Sequence, residues 1–194
     1  PASSHTMPSS AVYRVAPVVN VFSAVVMIFS LTMLLPLALA HYYGDAAVRS
    51  YDEAIAITFA AGLLMRLATW RLRRELQLRD GFLLVALVWT VLPAFATLPL
   101  MFHLDTLSFT DAYFETVSGI TTTGATVLSN LDGLPPSINF WRCELVWLGG
   151  MGLIVLAVAI LPLLGVGGMQ IYKAETPGPM KDAKLTPRIT ETAK

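Results

Sequence analysis

Long apolar runs, separated by short polar stretches, dominate the hydropathy pattern of the chain. Residues 15–40, 81–102 and 145–172 contain no Asp, Glu, Lys or Arg, and the shorter run 54–70 contains only Arg66. An apolar segment of about 20 residues is long enough to cross a bilayer as a helix, and an Arg near a helix end can reach the headgroups. We therefore predict an all-α membrane protein with four transmembrane helices in a lipid bilayer.

The first apolar run admits a second interpretation as a cleaved signal peptide, because Ala38-Leu39-Ala40 resembles a signal-peptidase site. Signal cores contain roughly 7 to 15 apolar residues, however, and this run is longer. We therefore predict a retained span. Residues 1–10 are small and polar, which is typical of an expression remnant or a disordered leader. Residues 11–79 then comprise two transmembrane helices and a basic cytoplasmic loop.

Basic residues lie on one side of the predicted membrane. With a cytoplasmic N-terminus, every Lys and Arg except Arg49 and Arg142 falls on the inner side, as the positive-inside rule requires. Four spans then return the C-terminus to the cytoplasm. The loop at residues 71–80 is a solvated connector or an anionic-lipid contact. A formal net charge of zero gives no bulk attraction to nucleic acid, and the single cysteine, Cys143, excludes an intrachain disulfide.

One polar stretch, SFTDAYFETVSGITTTGAT at residues 108–126, stands between the third and fourth apolar runs. Ser108 followed three residues later by Asp111 is a capping-box pattern, which predicts a helix start. A helix from there to residue 118 is about 15 Å long, half the hydrocarbon thickness, and Gly119 is a natural stop. We predict a re-entrant unit, in which a short pore helix enters the membrane partway and an extended Thr/Gly segment returns.

The Thr/Gly segment after this helix has the composition of a cation filter. Its small side chains allow successive backbone carbonyls to face one axis, and Gly124 can adopt dihedrals that are closed to other residues. Rings of carbonyls replace the hydration shell of a cation. We predict that Thr122 and Thr123 bind the cation through their carbonyls, with Thr121, Gly124 and Ala125 flanking them. The alternative is a capped helix and turn in an ordinary extracellular loop.

Acidic side chains accompany this segment on the predicted outer side, where residues 103–139 contain no Lys or Arg. The acids in this range are Asp105, Asp111, Glu115 and Asp132. We predict that they form an acidic vestibule that concentrates cations before the filter, with Ser108, Asp111 and Glu115 as its members on the pore helix. Ordinary helix-cap acids and solvated loop charges remain the alternative for Asp111 and Glu115.

Residues that disturb a regular helix lie in two of the apolar runs. In the fourth run they are Gly149, Gly150, Gly152 and Pro162. Small residues let helices approach closely, which predicts packing against a neighbouring helix. The same cluster can also bend a pore-lining helix to give the pore room or let it gate, and the two interpretations are compatible. In the third run, Pro93 and Pro99 predict kinks or a loosened last turn.

The order of apolar span, pore helix, T-T-T-G-A-T and apolar span resembles the first pore repeat of the TrkH/TrkG/KtrB superfamily of potassium-translocating subunits. The tail, LPLLGVGGMQIYKAETPGPMKDAKLTPRITETAK, is similar to the same family, and the resemblance runs from about residue 15 to the end. It implies that residues 80–172 form one repeat of a first helix, a pore helix, a filter and a second helix. Residues 173–194 are then a cytoplasmic linker toward a second repeat.

The resemblance also implies a function. Family members carry four such repeats in one polypeptide, so this chain is expected to be a fragment of a bacterial potassium uptake protein in the inner membrane, supplying one quarter of a filter for K⁺. The implied partners are the three remaining repeats, a second copy in a homodimer and a cytoplasmic nucleotide-binding regulatory subunit of the TrkA or KtrA type. The transported ion is K⁺, and no organic cofactor is expected.

Without the family resemblance, the residues themselves leave other functions open. Four copies of a single repeat could form a homo-oligomeric cation channel, and the T-T-T-G segment could be a buried turn in a non-conducting structural subunit. An enzyme is not expected, because no span holds a Ser/His or paired-Asp arrangement. Only Thr122 and Gly124 match the T-V-G-Y-G filter of potassium channels, so passage of Na⁺ or Rb⁺ is a further expectation.

Overall fold

The computed structural model describes residues 10–72 and 77–160, and the regular structure in these two ranges is helical. The elements in chain order are α1 (Ser10–Thr32), α2 (Leu34–Tyr43), α3 (Val48–Thr69), α4 (Leu78–Thr90), α5 (Leu92–Ala96), α6 (Leu98–His103), α7 (Phe109–Ile120), a 3-10 turn (Leu131–Gly133) and α8 (Pro136–Ile160). The predicted all-helical class is therefore confirmed for this part of the chain.

The first and third apolar runs each form a helical stretch that breaks shortly before a proline. α1 and α2 separate at Met33, three residues before Pro36, which has no N–H to donate to the carbonyl of Thr32. α4, α5 and α6 separate at Val91 and Thr97, each two residues before a proline. The prolines of the third run therefore interrupt its helix, as the sequence predicts.

Two helical stretches in the described ranges, Val15–Tyr43 and Arg79–His103, are long and apolar enough to cross a membrane. They coincide with the first and third predicted spans. α3 contains most of the second span but begins earlier, at Val48, and α8 begins at Pro136 rather than at residue 145. Proline suits the first turn of a helix, where its missing N–H costs nothing. The number of four spans stays a prediction.

The first half of α8 is held by three other helices. Trp141 is fully buried, its indole N–H donates to the Ala96 carbonyl of α5 at 3.1 Å, and its ring centroid lies 5.7 Å from that of Phe29 in α1. The buried Tyr51 of α3 donates its hydroxyl to the Ser137 carbonyl at 2.9 Å. The two side chains therefore fix the first half of α8 against α1, α3 and α5.

Many large apolar side chains stay exposed on the surface of the described helices. They include Leu64 and Leu67 on α3 and Trp147, Leu153 and Ile154 on α8. Extended apolar surface of this kind is typical of a region that lies against lipid or against further protein. It agrees with the predicted membrane class.

α7 and α8 approach each other closely at two glycines. A Cβ at Gly119 of α7 would lie 3.1 Å from the Cβ of Leu145. A Cβ at Gly149 of α8 would overlap the carbonyl of Ile120 and lie 2.6 Å from its carbon atom. α8 continues as a helix through the whole glycine cluster. The described structure therefore agrees with the close-packing interpretation of Gly149.

We predict that Gly149→Ala destabilises the protein, because its methyl group would force α7 and α8 apart. Overpacking of this kind costs about 1–3 kcal/mol. Gly152→Ala is the matched control, since it brings the same gain in helix propensity and a Cβ there meets nothing within 4 Å. Thermal unfolding in detergent, followed by circular dichroism, should give a lower Tm for Gly149→Ala. Equal Tm values for the two variants would contradict the close contact.

Candidate cation site

α7 begins with the cap that the sequence predicts. Ser108 has extended dihedrals, its hydroxyl oxygen accepts a hydrogen bond from the Asp111 N–H at 3.1 Å, and the hydroxyl donates to the Asp111 carboxylate at 2.7 Å. The predicted start is confirmed. The predicted stop at Gly119 is wrong, because α7 continues to Ile120 and Gly119 lies inside the helix, where its missing side chain makes room for Leu145.

After α7 the chain reverses through two left-handed residues, Thr122 with φ 58° and Gly124 with φ 74°. The N–H groups of Thr123 and Gly124 both donate to the Ser118 carbonyl, at 2.9 and 3.4 Å. In a planar trans peptide, each carbonyl points opposite to the N–H of the following residue. The carbonyls of Thr122 and Thr123 therefore both point away from the Ser118 carbonyl. They belong to the two residues that the sequence predicts as cation ligands.

Two threonine hydroxyls in this segment, those of Thr121 and Thr123, bond to each other, and that of Thr121 also bonds to the helix. The Thr121 hydroxyl donates to the Val117 carbonyl at 2.8 Å and lies 2.9 Å from the Thr123 hydroxyl. A hydroxyl has one proton to donate, so Thr123 is the donor in the second contact. These bonds occupy the hydroxyl protons and link the segment to the last turns of α7. The side chains of residues 121–127 are all exposed.

The Ala125 carbonyl is turned back toward α7, unlike those of Thr122 and Thr123. It accepts a hydrogen bond from the Ser118 hydroxyl at 2.6 Å. The helix thus already engages the Ala125 carbonyl, and the flanking role of Ala125 beside the cation ligands stays a prediction. Ser118 was missed by the sequence analysis, although it fixes the segment through both its backbone and its side chain. The available signal was a serine in the last turns of a short helix, directly before a Thr/Gly segment.

Glu115 of α7 is buried, with 5% of its surface exposed, and it pairs with Arg142 of α8. Nε and Nη2 of Arg142 both lie 2.7 Å from Oε1 of Glu115. Oε2 accepts hydrogen bonds from the Thr126 hydroxyl at 2.9 Å and from the Val127 N–H at 3.1 Å. The prediction of Glu115 as an open vestibule acid is therefore corrected, because Arg142 neutralises its charge and the protein encloses its side chain.

Arg142 was not among the predicted site residues. Its signal was its position, because it is one of two basic residues on the predicted outer side. Of the other vestibule acids, Asp111 is engaged in the helix cap, whereas Asp105 and Asp132 are exposed. An acidic vestibule stays a prediction for these last two residues.

The glycine cluster of α8 lies beside the chain reversal. A Cβ at Gly149 would overlap the end of α7, and a Cβ at Gly150 would lie 3.8 Å from Cγ2 of Thr122. At Gly152 the space is open. Pro162 lies outside the described residues, so the predicted bend of a pore-lining helix stays a prediction. Two of the three glycines thus adjoin the junction between α7 and the Thr/Gly segment.

Comparison with known protein families identifies the family to which this chain belongs. The model of the TrkH family, described as a cation transport protein, matches residues 49–194. This range contains α3 except its first residue, helices α4 to α8 and the whole Thr/Gly segment. The chain belongs to the TrkH family. The resemblance seen in the sequence is thereby confirmed, and the family is one of membrane transporters rather than enzymes.

Individual TrkH-family proteins agree with this result. The chain is 52% identical over 178 residues to the Trk system potassium uptake protein TrkH of Halomonas elongata, and 49% identical to that of Escherichia coli. It is 40% identical over 182 residues to TrkG of Escherichia coli. The Halomonas match covers 91% of this chain but 37% of the relative, so the chain spans little more than a third of the length of these proteins.

A solved structure also matches the fold. The crystal structure of the potassium transporter TrkH from Vibrio parahaemolyticus superposes with a TM-score of 0.74 at 41% sequence identity. The match covers 92% of this chain and 35% of that structure. The helical arrangement is therefore that of part of a TrkH-family transporter.

We predict that Ser108→Ala destabilises α7 by about 1 kcal/mol, because the Asp111 N–H loses its capping acceptor. Thr110→Ala is the control, since Thr110 is an exposed hydroxyl residue within the first turn. Thermal unfolding in detergent should show a lower Tm for Ser108→Ala than for Thr110→Ala. A Tm for Ser108→Ala at or above that of the control would mean that the cap does not stabilise the helix.

Proposed function

We propose that the chain is part of a bacterial potassium uptake protein and supplies one quarter of its ion filter. The relatives that bear this name are longer, and the chain corresponds to 37% of the Halomonas elongata TrkH. One Thr/Gly segment cannot surround an ion, so three further repeats in the longer parent protein complete the ring of carbonyls. The transported ion, K⁺, is the cargo of the site.

The orientation of the Thr122 and Thr123 carbonyls, both away from the Ser118 carbonyl, is the observation that carries this proposal. Two N–H groups converge on the Ser118 carbonyl and thereby turn both preceding carbonyls to the opposite side. Carbonyls that face one axis can replace the water around a dehydrated K⁺. Hydrogen bonds to α7 already fix these two carbonyls. Ion binding therefore costs little conformational entropy in this segment.

The orientation of α7 supports a cation rather than an anion at this place. A helix carries about half a negative charge at its C-terminal end, and the segment follows directly from the last turn of α7 at Ile120. The negative end of the helix therefore lies next to the proposed ligands. This contribution does not distinguish K⁺ from Na⁺, and the selectivity must come from the geometry of the carbonyls.

The assembly around this chain is proposed from the same family relationship. The chain lies in the bacterial inner membrane with both ends on the cytoplasmic side, the parent protein forms a homodimer, and a cytoplasmic nucleotide-binding subunit of the TrkA or KtrA type regulates it. The greater length of the relatives supports four repeats in one polypeptide over four separate copies of a single repeat. The two carbonyls that point away from the Ser118 carbonyl support a filter over a purely structural turn.

We predict that Gly124→Ser in the full-length parent protein lowers the preference for K⁺. Gly124 has φ 74°, and a side chain makes this conformation about 1–2 kcal/mol less favourable. Rotation of the backbone relieves the strain and redirects the neighbouring carbonyls, so the preference for K⁺ over Na⁺ should fall about tenfold or more. The measurement is radioactive rubidium uptake into liposomes, with K⁺ and Na⁺ as competitors.

Gly44→Ser is a matched control for this experiment. Gly44 ends α2 with φ 63°, and a Cβ at either glycine meets nothing within 4 Å. Both substitutions therefore place a side chain on a residue with positive φ, but only one lies at the proposed filter. Unchanged flux and selectivity in folded Gly124→Ser protein would show that the segment is a structural turn. An equal loss in Gly44→Ser would show a general effect of strain.

A further inference from the structure

We propose that Glu115 and Arg142 are a positioning pair, which sets ion selectivity by fixing the outer end of the filter loop. The filter loop is residues 121–127, and its outer end is Thr126 and Val127. The inference rests on the proposed carbonyl filter. Neither Glu115 nor Arg142 is assigned as an ion ligand, since both act on the loop through hydrogen bonds.

One buried carboxylate joins three elements of the structure. Glu115 is part of α7, and one of its oxygens receives the guanidinium of Arg142 from α8, while the other receives the Thr126 hydroxyl and the Val127 N–H. Thr126 in turn accepts a hydrogen bond from the Leu128 N–H at 3.1 Å. The end of the loop is therefore fixed to both helices through a single side chain.

The loop has two polar anchors and little packing between them. Its side chains are all exposed. At the inner end, Ser118 holds Thr123, Gly124 and Ala125. At the outer end, Glu115 holds the last two residues of the loop. The proposed carbonyl ligands lie beside the inner anchor and within the same loop, so release of the outer anchor changes their spacing.

Arginine is well suited to its place in this pair. Its planar guanidinium reaches Glu115 through Nε and Nη2, Asn139 through Nη1 at 3.3 Å, and Thr126 through Nη2 at 3.3 Å. A lysine ammonium carries the same charge but cannot reproduce this fixed fork of donors. The Glu115 side chain is 4% exposed and that of Arg142 is 19% exposed. Removal of either partner leaves the other charge without its counterion in a largely enclosed position.

A purely electrostatic role makes different predictions from a positioning role. Loss of the Glu115 charge leaves Arg142, which repels cations, whereas loss of the Arg142 charge leaves Glu115, which attracts them. An electrostatic role therefore shifts uptake in opposite directions. A positioning role lowers selectivity in both cases, because each change loosens the loop. The double variant removes both charges, so the pair again has no net charge. It does not restore the hydrogen bonds that fix the loop.

The test is radioactive rubidium uptake by the full-length parent protein in liposomes, with K⁺ and Na⁺ as competitors. The variants are Glu115→Gln, Arg142→Gln and the two together. We expect all three to lower the preference for K⁺ over Na⁺ by about tenfold at equal amounts of folded protein, with the double variant no better than either single one. A wild-type preference in the double variant, or opposite shifts in the single variants, would overturn the proposal.

A second ion pair in the chain provides the control. Arg49 and Glu53 on α3 are exposed and lie 2.7 Å apart. The double variant Arg49→Gln/Glu53→Gln removes the same two charges away from the filter loop, and we expect it to keep the wild-type preference. If it lowers the preference as much as the Glu115 and Arg142 variants do, the effect is not specific to the loop and the proposal fails.

If the glutamine variants do not fold, two milder variants test the positioning role of the pair. Arg142→Lys keeps the charge and loses the donor fork, whereas Thr126→Val keeps the ion pair and removes the hydroxyl link to the loop. We expect each to lower the K⁺ preference severalfold, and a wild-type preference in both overturns the proposal. The proposed filter fails separately, if the wild type shows no K⁺-preferring uptake or if Gly124→Ser keeps that preference.

Discussion

The carbonyl oxygen of Ser118 is the acceptor on which the geometry of the filter loop depends. In a longer helix this carbonyl would accept from the Thr122 N–H. That N–H instead bonds to Gly119 at 2.9 Å, a 3-10 contact that leaves the Ser118 carbonyl for Thr123 and Gly124. An irregular backbone segment without ladder partners still needs hydrogen-bond partners for its N–H groups. The Ser118 carbonyl at the end of α7 thus accepts the N–H groups of the loop. Those hydrogen bonds also set the direction of the loop's preceding carbonyls.

α8 supports this arrangement along one face. Its residues there are spaced by three and four positions, which places them on one side of a helix. The contacts pair Arg142 with Glu115, Leu145 with Gly119 and Gly149 with Ile120. The α8 side chains become smaller along this series. At Gly149 the backbone of α8 lies against the backbone of Ile120 in α7. The backbone contact at Gly149 lies at the end of α7, where the filter loop begins.

Local signals in the sequence predicted the helices and the start of the site. Uncharged runs predicted long apolar helices, the prolines of the third run marked its breaks, and Ser108 with Asp111 gave the start of α7. The sequence could not show that Gly119 packs inside the helix, because that role depends on Leu145 in another helix. For the same reason Glu115 was expected to be an open acid. Its partner Arg142 lies 27 residues further along the chain, and no local pattern links the two.

The conformation of Thr122 bears on the choice between a filter and an ordinary loop turn. A β-branched residue with φ 58° is an outlier that costs on the order of 1–3 kcal/mol. Glycine or asparagine would form a simple turn at lower cost. The strain persists because hydrogen bonds to Gly119 and Ser118 fix the peptide planes on both sides of the residue. Those bonds set the direction of the Thr122 carbonyl before any ion binds. A surface turn has no need of that constraint, whereas a carbonyl ligand does.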